Sequence, residues 1–202
     1  MAKQKWKGGA LLAPVPPAMI SCGNDADGTA NIITVAWTGI INTIPPKTYI
    51  SVRPSRHSYK LIRESGEFAI NLTTVPLVRS ADYCGIYTGA KVNKFEKCNL
   101  HKEAASEISC PLIAESPLSL ECRVTDVIEL GSHHMFLADI VAVDVDDSLL
   151  NTEGKLCLEK ARLAAFSHGE YFALGEKLGY FGFSVKKKKK KSAPKNAGKA
   201  SK

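Results

Sequence analysis

Apolar positions in the first third of the chain keep the two-residue period of half-buried strands and lose it only once. In Asn31–Trp37, Ile33, Val35 and Trp37 fall on one face and Ile32, Thr34 and Ala36 on the other. Thr48–Arg53 alternates in the same way, and Pro54 blocks its continuation. Ser55–Ser65 then takes a helical period: Ser55 is placed to cap it, Tyr59, Leu61 and Ile62 supply its apolar side, and Gly66 suits the residue that ends it. Phe68–Leu72 returns to a strand pattern. Upstream, the prolines in Leu11–Ser21 predict an extended lead-in, and Ala18–Cys22 a strand. Gly23–Gly28, rich in Gly and Asx residues, makes a turn that pairs this strand with Asn31–Trp37 as a hairpin. Ile41–Lys47, which contains Pro45-Pro46, is predicted as a loop.

Downstream, Pro76 to Ala81 reads as a helix, followed by a Gly-punctuated loop at Tyr83–Gly89 and a short helix within Lys91–Lys97. Cys98–Ser109 is a polar connection. Leu112–Ala114 and Leu118–Leu130 are predicted strands, Gly131-Ser132 a turn, and His134–Val145 a long central strand. Asp146–Gly154 is a predicted loop, Leu156–Leu158 a last short strand and Tyr171–Lys177 a helix. Seven or eight strands joined mostly by short links, with few helices, favour a mainly β fold: an antiparallel barrel with helices plugging its ends. No strand leads into G-x-G-x-x-G or a P-loop, which counts against those nucleotide sites.

Charge divides the chain in two. The sequence carries 27 basic and 20 acidic residues, but nine of the lysines lie in 186–202, where there is no acid. The remaining 18 basic residues face those 20 acidic ones, so the body is mildly acidic. We therefore expect one domain at 1–185, its 45% apolar content sufficient for a core, and a disordered Lys-rich tail at 186–202. Nucleic acid is an expected partner only through that tail. The six cysteines form no C-x-x-C pair, so no metal site is expected. Prolines 14, 16 and 17 break any signal-peptide core, and no apolar run approaches the ~20 residues a membrane span needs. A cytoplasmic protein with reduced thiols and no membrane contact is expected.

The junction after the second strand of this region carries the chemistry. Arg53-Pro54-Ser55-Arg56-His57-Ser58 sets two guanidiniums and two hydroxyls at a helix start, where unpaired amides and the helix dipole favour an anion. Taken alone, the stretch is equally compatible with a solvated surface helix. Trp37, at a strand end before Thr38-Gly39, is suited to closing the core or to lining a planar ring. His57 has the choice of ligand or solvent, His133-His134 reads as a solvated pair, and His168 before Gly169 as a cap or a substrate-side group.

Four motifs in order narrow these alternatives. Asn31 to Gly39 with Pro45-Pro46, Ile50 to Ser58, Ser65 to Leu72, and Asp82-Tyr83-Cys84-Gly85 with Gly89 and Lys94-Phe95 resemble the flavin reductase-like family with its FMN-binding split barrel, flavoredoxin subgroup. Tyr171–Gly175 to Gly182-Phe183 matches as well. The resemblance implies a Greek-key split barrel, a homodimer, and FMN near the dimer interface. It implies an FMN-dependent oxidoreductase of flavin reductase or flavoredoxin type, with NAD(P)H or a protein as electron donor. A non-catalytic binding module whose basic tail meets nucleic acid or an anionic surface is the alternative.

Carried residue by residue, the resemblance places Ala36, Trp37 and Thr38 on the ring and ribityl chain, and Arg53, Ser55 and Ser58 on the phosphate. His57 joins this set as a candidate from its place in the same helix start. Asn71 would lie at the base of the pocket, and Cys84, Gly85, Thr88, Gly89 and Lys94 would form a second wall or clamp. The family's acidic residue before Lys-Phe is Asn93 in this chain. Flavin carries its own redox chemistry, so no catalytic protein residue is expected. Cys84 has no sequence neighbour to pair with and is expected to be a small buried residue beside the flavin.

Overall fold

The computed structural model describes residues 1–186; the rest of the Lys-rich tail lies outside the described residues. Strands β1 (Ala18–Cys22) and β2 (Asn31–Val35) form the predicted hairpin. β3 (Thr38–Asn42) and β4 (Lys47–Val52) form another. Then come α1 (His57–Ser65), β5 (Glu67–Asn71), α2 (Val78–Ile86), α3 (Lys94–Lys97), β6 (Lys102–Glu103), β7 (Leu112–Ile113), β8 (Leu118–Glu129) and β9 (His134–Val145). β10 (Ala164–Ser167) and β11 (Glu170–Ala173) make a hairpin of their own.

Seven strands form one antiparallel sheet in the order β2-β1-β5-β8-β9-β4-β3. Its two edge strands, β2 and β3, are consecutive in the chain and separated only by Ala36-Trp37. A single bend therefore joins opposite edges of the sheet, and the sheet must curl to let it. The Ser51 amide donates to the Trp37 carbonyl (2.9 Å), holding this bend against β4. The outcome is the expected mainly β split barrel with a few short helices.

Alternation decides which side chains fill it. Ala18, Ile20 and Cys22 of β1 point into a core with Ile33, Val35, Ile50, Val52, Phe68, Ile70, Phe136 and Ala138. Ile62 of α1 enters this same core, so α1 plugs the barrel as anticipated. Met19 and Ile32, on the opposite face, meet Leu77 just before α2, Ala81 and Cys84 of α2, and Phe95 of α3. These two helices cover the outside of the barrel.

Several predicted elements differ. Trp37 stands in the bend, and a strand the sequence reading treated as link and loop, β3, follows at once. α2 runs through Tyr83–Ile86, so Gly85 sits inside a helix instead of opening a loop. Leu156–Leu158 makes only a bridge from Leu156 to Leu150 before a short 3-10 turn. Tyr171–Lys177 is no helix: Glu170–Ala173 is β11, turned back on β10 through His168-Gly169. Both turn residues have positive φ (50° and 89°), as a two-residue hairpin turn requires. β9 is interior to the sheet, but most of its side chains are only half-buried, because β4 pairs with it no further than Asp139.

Candidate functional site

Three depressions meet around the outer end of β2. The first, of about 130 Å³, is lined by Ile33–Trp37, Ser51–Arg53, Arg56 and His133. The second, of about 250 Å³, shares Thr34 and Ala36 with it and adds Asp82, Gly85 and Ile86 of α2, with Phe166, Gly169 and Tyr171 from the last hairpin. The third, of about 350 Å³, lies beyond Trp37 against Leu11, Leu12, Phe166 and His168. The largest cavity described, about 550 Å³ beside Arg162 and Leu174–Lys177, contains none of the predicted site residues.

The first depression is cationic by construction. β4 ends at Val52, and the chain turns through Arg53–Arg56 into α1. No side chain caps α1, its first turn holds no acid, and its capping position is Arg56 rather than the predicted Ser55. First-turn amides, dipole and two guanidiniums thus act together on one small space. Among the described residues neither arginine has a salt-bridge partner. His133 borders the same space; burial first, then Arg53 and Arg56, lowers its pKa, which favours the uncharged ring beside the two cations. Arg56 belongs to the anion-favouring helix start of the sequence analysis, though not to the residues carried over from the resemblance; His133, expected as one of a solvated pair, is an addition. Arg56 stood in the quoted motif, whereas His133 comes from the distant β8–β9 turn and left no local signal.

The remaining candidates divide. Ala36 and Trp37 line the depressions, Gly85 walls the second and His168 borders the third. Ser55 and His57 are exposed at the start of α1. Ser58 is buried, its hydroxyl accepting from Asn31 Nδ2 (2.8 Å). Thr38 spends its hydroxyl on the Tyr49 carbonyl (2.6 Å). Asn71 is wholly buried: Nδ2 donates to Met19 O and Ser21 Oγ (both 3.0 Å), and Oδ1 accepts from Ile113 N (3.0 Å) and Ser119 Oγ (2.8 Å). That uses its full hydrogen-bonding capacity, so it ties strands together and lines none of the three depressions.

The predicted second wall is mostly a support. Gly89 packs on Asn31, where a Cβ would stand 2.1 Å from Oδ1. Thr88 Oγ1 accepts from the Ala90 amide (3.4 Å). Lys94 is 3% exposed, and its ammonium donates to the carbonyls of Ile32 (2.6 Å) and Cys84 (2.8 Å), joining β2 to α2 behind the site. Burial lowers its pKa, opposed by the nearby thiols. Asn93 caps α3, its side chain accepting from Glu96 N and donating to Glu96 Oε1 (2.7 Å). Cys84 is buried as expected, yet its sulfur lies 4.0 Å from that of Cys98.

Comparison with known proteins identifies the family and the fold. Residues 12–174 match the family described as "Flavin reductase like domain". The solved flavoredoxin of Desulfovibrio vulgaris (Miyazaki F) has a TM-score of 0.84 and 30% identity, covering 92% of this chain and 100% of that one. An uncharacterized protein of Archaeoglobus fulgidus is 32% identical over 118 residues, 58% of this chain and 67% of its own length. Another from Aeropyrum pernix is 33% identical over 139 residues; the match takes in 68% of this chain but only 52% of that relative. No helix among the described residues is long and apolar enough to cross a membrane.

Proposed function

Because the chain belongs to the flavin reductase-like family, we propose that it is an FMN-dependent oxidoreductase, with the phosphate in the Arg53–Arg56–His133 corner and the ring against Thr34–Trp37. The observation that carries this reading is the uncapped start of α1 flanked by two unpaired guanidiniums. His133, whose pKa burial and the two arginines lower, adds a hydrogen-bonding ring there. FMN is favoured over FAD because only this depression is cationic. The second holds Asp82 as its one charged residue, and the third holds no Lys, Arg, Asp or Glu.

Bound flavin would supply the two-electron chemistry, so the protein's part is to hold and orient. Arg53 and Arg56 fix the phosphate. Ala36, Trp37 and Gly85 offer close, largely apolar walls to a planar ring. Lys94 and Asn31 keep β2, α2 and the Gly89 turn in register behind it. NAD(P)H or a reduced protein would deliver electrons from the side of Trp37 and His168.

A homodimer is part of this proposal. β3 is an edge strand, and Ile40, Ile41 and Ile44 on it and on the following turn are exposed. Such an edge needs a cover.

The purified protein should be yellow, release FMN on denaturation, and rebind it when stripped. NADH and NADPH oxidation, with and without added flavin, separates a reductase from an electron carrier fed by another protein. A colourless preparation that cannot be reconstituted with FMN rules the proposal out.

A further inference from the structure

We propose that Cys84 and Cys98 form a peroxide-responsive dithiol whose disulfide fastens the segment 87–97 to α2. Cys84 lies on α2 and is buried; Cys98 directly follows α3 and is partly exposed. Their sulfurs are 4.0 Å apart, within about 2 Å of bonding distance. Among the described residues no other two thiols are within hydrogen-bonding reach of each other. Cys22 and Cys110 point at the carbonyls of Asn31 and Ser21, Cys122 at that of Leu120, and Cys157 at that of Lys155.

The difference in exposure sets the order of steps. Cys98 attacks one oxygen of hydrogen peroxide; the O–O bond breaks, water leaves, and a sulfenic acid remains. The Cys84 sulfur then attacks the Cys98 sulfur, and the sulfenic oxygen departs as a second water with the Cys84 proton. Two thiols lose two electrons, and the peroxide takes them. Burial above all, and then Cys98, pushes the Cys84 thiol up to about 12, so it is not the thiol that meets peroxide first. The adjacent Lys94 ammonium, bonded to the Cys84 carbonyl, opposes that rise.

The closed loop contains Gly89, seated on Asn31, and Lys94, the tie to β2. Oxidation would reduce the freedom of that loop in the unfolded chain. It would stiffen the support of the site without touching the arginine corner.

The test uses the full chain, reduced and then exposed to a small excess of hydrogen peroxide. Denaturing alkylation, intact mass and peptide mapping follow. The expected product has lost two hydrogen masses, alkylates at four of its six cysteines, and yields a Cys84–Cys98 cross-linked peptide. Its melting temperature exceeds that of the reduced protein. Cys98→Ser and Cys98→Ala show neither cross-link nor shift, and Cys157→Ser shows both. Six free thiols after peroxide, a cross-link elsewhere, or the same melting shift in the Cys98 variants overturns the proposal. Mapping of the parent protein decides even if a variant misfolds.

Discussion

Arg53 and Arg56 stand at the foot of α1 with no carboxylate to neutralise them. Replacing Arg53 with Ala removes a charge-assisted contact worth roughly 1.5–3 kcal/mol, so FMN affinity measured by equilibrium dialysis should fall about 10- to 150-fold. Arg56→Ala should act in the same direction, and neither change should lower thermal stability, since both side chains are exposed. Gly89→Ala should do the reverse. Its Cβ would collide with Asn31, whose amide is committed to Ser58, and the cost of such overpacking is about 1–3 kcal/mol in thermal unfolding. The arginines could be read from the sequence because their chemistry needs only the adjacent helix start. His133 could not, because it arrives from a turn more than seventy residues on. Asn71 lay inside a recognisable motif, but only the strands packed around it reveal that its partners are backbone and hydroxyl groups of the protein.

Elements set by local pattern were the ones the sequence disclosed. β1, β2, β4, β5 and α1 follow their periods, and Gly66 ends α1 with φ 70° as foreseen. β3 escaped because the break before it is made by the register of β4 and the bend at Trp37, with no Gly or Pro to announce it. β11 escaped because Tyr171-Phe172-Ala173-Leu174 suits either period until β10 selects one. β8 also carries a charge arrangement that makes a prediction. Glu121 is wholly buried and accepts from Ser106 N and Oγ and from the amides of Glu107 and Ile108, clamping that segment to the strand. Burial alone would raise its pKa, but these bonds outweigh burial and lower it. The clamp's contribution is therefore present above about pH 4.3 and is lost as pH falls through the lowered value. Asp144 has the opposite sign: burial first, then Glu121, raises its pKa, and its Oδ2 has no partner. What it contributes at low pH is lost as pH rises through the raised value. Asp144→Asn should stabilise the protein at neutral pH by about 1 kcal/mol, and the gain should shrink toward about pH 4, as thermal scans across that range would show.

For the whole molecule, the curled sheet brings β2, β4, α1, α2, the β8–β9 turn and the last hairpin together at one end, and the walls of the proposed site come from that convergence. The opposite demand is made at β3, where Ile40, Ile41 and Ile44 face outward. A dimer is expected by light scattering, and Ile40→Asp with Ile44→Asp should shift it to monomer. If the ring site is completed at that interface, FMN affinity should drop with it. Trp37 has a use that depends only on where the fold leaves it. The chain has two tryptophans, and the other, Trp6, is well exposed at 74% while Trp37 borders two of the depressions. With Trp6→Phe, the protein's ultraviolet emission would come from one indole at the proposed ring site. Its quenching by an arriving chromophore would report occupancy in real time, with no added label.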